Sequence, residues 1–208
     1  MGSQIGSAPN GENTSLAGTE KIPLSGSKWA YISTVLTYII NAFTAASTTV
    51  AGKVEIATSA ETNTGTDATR AVSPDGLAGS NFGIRYKEVY LNGSTALTTS
   101  NKAYFRIPAA FNGMNLVSVS ASVGTGAAGA SSSGTPTFTV KNVTDNVQIL
   151  STSLTVDANE YTSATAATAA VIDTTKDDVA TDDLIEVAVT TSGTGVTYAV
   201  VLLGFQLP

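Results

Sequence analysis

The sequence predicts an all-β protein: a C-terminal antiparallel β-sandwich, jelly-roll-like, preceded by an N-terminal helix. Three observations carry this. From about residue 86 onward apolar residues recur at every second position. Turn clusters separate these runs at short, regular spacing, as in sandwiches and jelly rolls. One stretch, 27–44, instead repeats its apolar residues with a helical period.

Taken in order, residues 1–20 are rich in Gly, Ser and Asn and nearly free of apolar groups, so they are expected to be disordered in isolation. In SKWAYISTVLTYIINAFT (Ser27–Thr44), Trp29, Ile32, Val35, Leu36, Ile39, Ile40 and Phe43 line one helical face. This predicts a helix over about 28–43, capped by Ser25 or Ser27. The face is too apolar for a lone helix on a flexible tail. Trp29, Ile32, Leu36, Ile39 and Phe43 are therefore assigned to packing against other copies of the chain or another protein. Residues 45–85 have little periodicity. A short strand is expected at Lys53–Ala57, a polar, turn-rich stretch at Ser59–Thr69, and a turn at Ser73-Pro74-Asp75-Gly76.

The two-residue period then begins at Val89 and Leu91. Ala103, Phe105 and Ile107 continue it, as do Val117, Val119, Ala121 and Val123. Phe138 with Val140 and Val143, Leu154 with Val156, and Ile185 with Val187 and Val189 are further strands. Val196–Leu207 is apolar on both faces and reads as a central strand. Gly124–Pro136 reads as a long flexible loop, and Ala164–Ala170 as a loop or edge strand.

Composition narrows the chemistry. Charged residues make up 12% of the chain, about half the usual share, and Ser and Thr (22 and 32 residues) fill the gap. The chain has neither Cys nor His, which removes disulfides, thiolate zinc sites and any imidazole base. A formal charge of −6 disfavours a nucleic-acid partner. That charge is uneven, with net +1 over residues 1–106 and net −7 over 107–208. No apolar run is long enough to span a bilayer, and residues 1–28 lack the pattern of a secretory leader. Neither membrane insertion nor a leader is expected.

Two stretches carry a likeness. SLAGTEKIPLSGSKWAYISTVLTYI (Ser15–Ile39) resembles the head segments of bacteriophage tail-fibre proteins. AGKVEIATSAETNTGTDATRAVSPDGLAG (Ala51–Gly79) is similar to a phrase of phage fibre and collar proteins. It is matched here at Gly52, Val54, Ala57, Thr58, Glu61, Gly65, Asp67, Ala71, Val72, Pro74 and Leu77. The C-terminal half resembles, more loosely, the β-sandwich modules of small virion proteins. The resemblance implies a parallel homotrimer located in the virion. Residues 1–44 would attach to tail or capsid proteins, 45–85 would form an intertwined shaft, and 86–208 would be the exposed sandwich. It implies a short tail fibre or tail-tip protein for host-surface attachment, with a surface glycan as partner. The alternative is a head fibre or capsid decoration protein.

Catalytic and metal chemistry finds little footing. Asp173, Asp177, Asp178, Asp182 and Asp183 are carboxylates of the kind calcium takes, but their spacing matches no EF-hand, and Asp182-Asp183 reads as a turn feeding a strand. Glycoside cleavage needs a larger scaffold with a long groove, and the sole Trp, Trp29, lies outside the sandwich. Gly124–Gly134 is glycine-rich but lacks the lysine of a phosphate loop. No catalytic, cofactor-binding or metal residue is assigned. Tyr104, Tyr161 and Tyr198 are candidates for stacking on sugars.

Overall fold

The computed structural model describes residues 21–24, 28–31, 52–92, 96–124 and 130–208. The chain divides into two compact units, one of Met1–Ile56 with Asp67–Ala71, the other of Ala57–Thr66 with Val72–Pro208.

In the first unit, Lys21–Leu24 (β1) and Lys28–Tyr31 (β2) pair antiparallel, with Lys21 opposite Tyr31 and Leu24 opposite Lys28. This corrects the start of the predicted helix, because Trp29 stands on a strand opposite Pro23. The physical reason is local. Two short runs with Ile, Trp and Tyr, separated by Ser25-Gly26-Ser27, satisfy their backbone groups by pairing. Ile32, Leu36, Ile39 and Phe43 lie outside the described residues. Glu55–Ala57 (β3) and Arg70–Val72 (β4) form a second two-stranded sheet. Arg70 forms ion pairs with Glu55, at 3.2 Å, and with Asp67.

Two short helices begin the second unit. Ser59–Thr64 (α1) is closed by a capping box: Thr58 Oγ1 accepts from the Glu61 N–H at 3.2 Å, and Glu61 Oε2 accepts from the Thr58 N–H at 3.0 Å. Gly65 ends it in the left-handed conformation, φ 62°, where a side chain would be strained. The first part of the stretch expected to be turn-rich, Ser59–Thr64, is therefore helical, because Thr58 and Glu61 satisfy the orphan donors of its first turn. Pro74–Ala78 (α2) replaces the expected turn for a similar reason. Pro74 fits the first helical position, and Ser73 accepts from the Gly76 N–H at 3.0 Å. Replacing Thr58 by Ala is expected to cost about 1 kcal/mol locally. Faster amide exchange over 59–64, with the sandwich unchanged, is the check.

The rest of this unit is antiparallel β-structure. Arg85–Asn92 (β5), Met114–Gly124 (β7), Asp178–Val179 (β13) and Tyr198–Gln206 (β15) form one sheet in the order β13-β7-β15-β5. Lys102–Arg106 (β6), Thr137–Asn142 (β8), Leu154–Thr155 (β11) and Leu184–Thr191 (β14) form the other in the order β11-β8-β14-β6, and Val147–Gln148 (β9) also pairs with β8. Leu150–Thr152 (β10) and Val171–Ile172 (β12) make a small separate pair. One hydrophobic core takes side chains from both large sheets: Leu91, Leu116, Val201, Leu203 and Phe205 from the first, Phe138, Val140, Ile185 and Val187 from the second. Each such side chain contributes roughly 1.5–3 kcal/mol on burial.

The last strand is central, as its two-sided apolarity predicts: β15 pairs with β5 on one side and β7 on the other. Val117 departs from the expected inward pattern. It lies at a register shift opposite Gly204/Phe205 and is exposed. Val143 falls in the turn after β8 instead of in the strand. Within the loop expected to be flexible, Ser131–Gly134 is pinned. The buried Ser131 hydroxyl donates to the Ser133 carbonyl at 2.7 Å and accepts from the Thr194 N–H at 3.1 Å. Residues 125–129 lie outside the described residues.

Candidate functional site

The outer face of the four-stranded sheet is the most distinctive surface of the second unit. Strand alternation builds it. On β5, Val89 and Leu91 point inward, which turns Tyr86, Glu88, Tyr90 and Asn92 outward. On β15, Ala199, Val201 and Leu203 are buried, leaving Tyr198, Val200, Leu202 and Gly204 on the outer side. On β7, Ala121 and Val123 point inward, and Ser118, Ser120, Ser122 and Gly124 outward. The register aligns these residues in rows across the sheet: Tyr86–Gly204–Ser118, Glu88–Leu202–Ser120, Tyr90–Val200–Ser122 and Asn92–Tyr198–Gly124.

Two glycines shape the ends of this face. A Cβ on Gly124 would meet the Tyr198 ring at 2.3 Å, so that ring lies against the glycine. A Cβ on Gly204 would come within 3.0 Å of the Tyr86 ring and 2.3 Å of Ser118 Oγ. Tyr90 is 65% exposed, and its hydroxyl donates to Glu88 Oε2 at 3.1 Å. That bond and the Glu88 charge raise the Tyr90 pKa above its ordinary value. Beyond β7, the Thr162–Ala164 segment closes a shallow trough over Ser120, Ser122, Val200 and Leu202. The Ala121 N–H donates to Ser163 Oγ at 2.9 Å and holds that wall in place. The face offers aromatic planes for the apolar sides of a ring-shaped ligand, and a row of hydroxyls for its polar groups.

The three tyrosines singled out from the sequence are not brought together. Tyr198 belongs to this face. Tyr161 is exposed on the segment beside β7, and its carbonyl accepts from the Val123 N–H at 2.8 Å. Tyr104 lies on the other sheet, where its hydroxyl donates to Glu186 Oε2 at 2.5 Å and Lys102 Nζ donates to the same oxygen at 2.9 Å. Burial pushes the Glu186 carboxyl up, but the Tyr104 and Lys102 hydrogen bonds and the nearby charges of Lys102 and Lys141 bring it below its ordinary value. Tyr86 and Tyr90, the most prominent rings of the outer face, are not among those sequence candidates. The i, i+2 spacing Tyr86-x-Glu88-x-Tyr90, out of phase with Val89 and Leu91, is the sequence signal that marks them.

Asp173 and Asp183 are spent on local structure. The Lys176 ammonium and the Thr175 hydroxyl and N–H donate to Asp173, and Asp183 accepts from Asn142 and the Ala180 N–H. Among the described residues, no three of His, Cys, Asp or Glu are placed to share a metal ion. Among them, too, no helix is long and apolar enough to cross a membrane. Hydrogen bonds from Lys176 and Thr175 lower Asp173 from 3.8 to about 2, and bonds from Thr69 do the same for Asp67. A carboxylate depressed in the folded state contributes stability above its unfolded pKa and loses that contribution as pH falls through the folded value. Both turns are therefore expected to weaken only as pH falls from about 4 towards 2. Carboxyl NMR titration should give midpoints near 2 for both residues, and Thr69→Val should raise that of Asp67 alone.

No family profile, curated protein or solved structure matches this chain.

Proposed function

We propose that the chain is a bacteriophage virion structural protein, a short homotrimeric tail fibre or tail-tip protein that attaches the particle to a host surface. The observation that carries this is the fate of the fibre-like phrase at 51–79. Its polar and turn-forming positions are used within the chain: Thr58 and Glu61 cap α1, Gly65 ends it, Asp67 holds Thr69 and Arg70, and Pro74 starts α2. Its apolar positions Val54, Val72 and Leu77 stay about half exposed in a single chain, as does Ile56. A phrase whose polar positions are satisfied internally and whose larger apolar side chains stay half uncovered suits packing against identical neighbours. Phe82, 69% exposed beside α2, adds to that uncovered surface.

The sandwich suits an exposed module. The orders β13-β7-β15-β5 and β11-β8-β14-β6 support a jelly-roll reading. Followed in sequence, β5, β6, β7 and β8 alternate between the sheets, β11 stays with β8, and β13, β14 and β15 alternate again. Three copies on one particle would make weak single-site binding sufficient. A head fibre or capsid decoration protein is the second reading, since the same phrase would serve a trimer anchored on a capsid. Cross-linking of residues 1–44 in purified particles separates the two: links to tail proteins support the fibre, and links to the capsid alone support decoration. Recovery of the chain outside any particle fraction would count against both.

A further inference from the structure

The open edge between β5 and β6 holds a cleft lined by Lys87, Phe105, Arg106, Pro108 and Phe111. Its aromatic floor is fixed. Phe105 and Phe111 both pack edge-to-face on the buried Phe205, with ring centroids 6.5 and 5.4 Å away. Its rim is cationic. Lys87 Nζ stands 5.8 Å from the Phe105 ring centroid, and Arg106 borders the same cleft. Arg85, two residues before Lys87 on β5, donates to the Ala110 carbonyl beside Phe111.

Lys87 and Arg106 are less committed than the lysines elsewhere in the unit. Lys102 pairs with Glu186, Lys176 with Asp173, and Lys141 donates to Asn146 Oδ1. Among the described residues, Lys87 has no carboxylate at ion-pair distance. Arg106 reaches Asp182 at 3.4 Å through two largely exposed side chains, a pair weak in water. Two cations thus line one aromatic cleft in a chain of net charge −6. Lys87 also carries its charge on an edge strand next to the core, a device that disfavours the addition of a further strand. That placement disfavours an extended peptide as the occupant of the cleft.

We propose that this cleft binds the anionic group of an acidic surface polysaccharide, the sugar resting on the phenylalanine floor and its carboxylate or phosphate held by Lys87 and Arg106. Charge-assisted hydrogen bonds from both cations supply the specificity. The inference rests on the attachment reading for the source of the sugar.

The test titrates the immobilised full-length chain with polygalacturonate, poly(glycerol phosphate) and neutral dextran. At least one charged polymer should bind and dextran should not, and added salt should weaken binding by about tenfold or more. The better polyanion identifies the carboxylate or the phosphate source. Lys87→Met and Arg106→Gln should each weaken binding by about fivefold or more at unchanged thermal stability, as loss of one charged hydrogen bond does, and Lys176→Met should not. Equal binding of dextran, no binding of either polyanion, or wild-type binding by Lys87→Met overturns the proposal. The mass of the same preparation keeps the two readings apart. A monomer that binds polyanion retains the cleft and loses the fibre, and a trimer indifferent to every polymer does the reverse.

Discussion

Phe205→Ala is expected to lower the stability of the second unit by about 3–5 kcal/mol, the range for a large aromatic removed from a packed core. Phe205 is fully buried on the central strand and faces both Phe105 and Phe111. Removing its ring empties the space both neighbours lean on, so the deficit is set by lost contacts as well as by lost burial. For a unit of this size each kcal/mol shifts the midpoint by roughly 2–4 °C, so thermal unfolding should move down by about 10 °C. Phe205→Leu, which keeps most of the volume, should cost about a third as much. A loss below about 1 kcal/mol for the alanine variant would mean that the residue does not organise the core as described.

Asn142→Ala is the second large effect expected, about 3 kcal/mol, for an electrostatic reason. Asn142 is fully buried at the end of β8, and its amide donates to Asp145 Oδ2 at 2.7 Å and to Asp183 Oδ2 at 2.9 Å. Its Oδ1 accepts from the Asp145 N–H at 3.3 Å. Truncation leaves the nearly buried Asp183 carboxylate with only the Ala180 N–H among these partners, and an under-satisfied buried charge is costly. Asp183→Ala should destabilise as well, but the double variant should lose less than the two single losses combined. Strict additivity in urea unfolding would show that the two groups do not act as a pair.

How much of this was legible in the sequence depends on what each residue answers to. The alternation of Val119, Ala121 and Val123, and the two-sided run Val196–Leu207, marked β7 and the central β15, because burial on a sheet face follows a period of two. The helix α1 was hidden because only Thr62 of its six residues is buried, so no apolar period announces it; the Thr58/Glu61 capping pair was its signal. The helical period over 27–44 takes in Trp29, which belongs to a short strand whose partner, Lys21–Leu24, lies outside that window. The paired strands β10 and β12 are two or three residues long, below the length at which alternation can be seen. The outer face was half legible. Tyr198 could be named, but its place between Asn92 and Gly124 follows from register, which single-strand patterns do not fix. The cleft was not legible at all, because Lys87, Arg106 and Phe111 converge only when β5 and β6 meet at one edge.

The solution mass of the full-length chain, measured by light scattering across a range of concentrations, bears most directly on the proposed fibre. A mass three times that of the 21.0 kDa chain is expected, with the uncovered apolar positions of the 51–79 phrase inside the assembly. Leu77→Asp should then shift the population towards single chains. A monomer at every concentration would contradict a free-standing trimeric fibre.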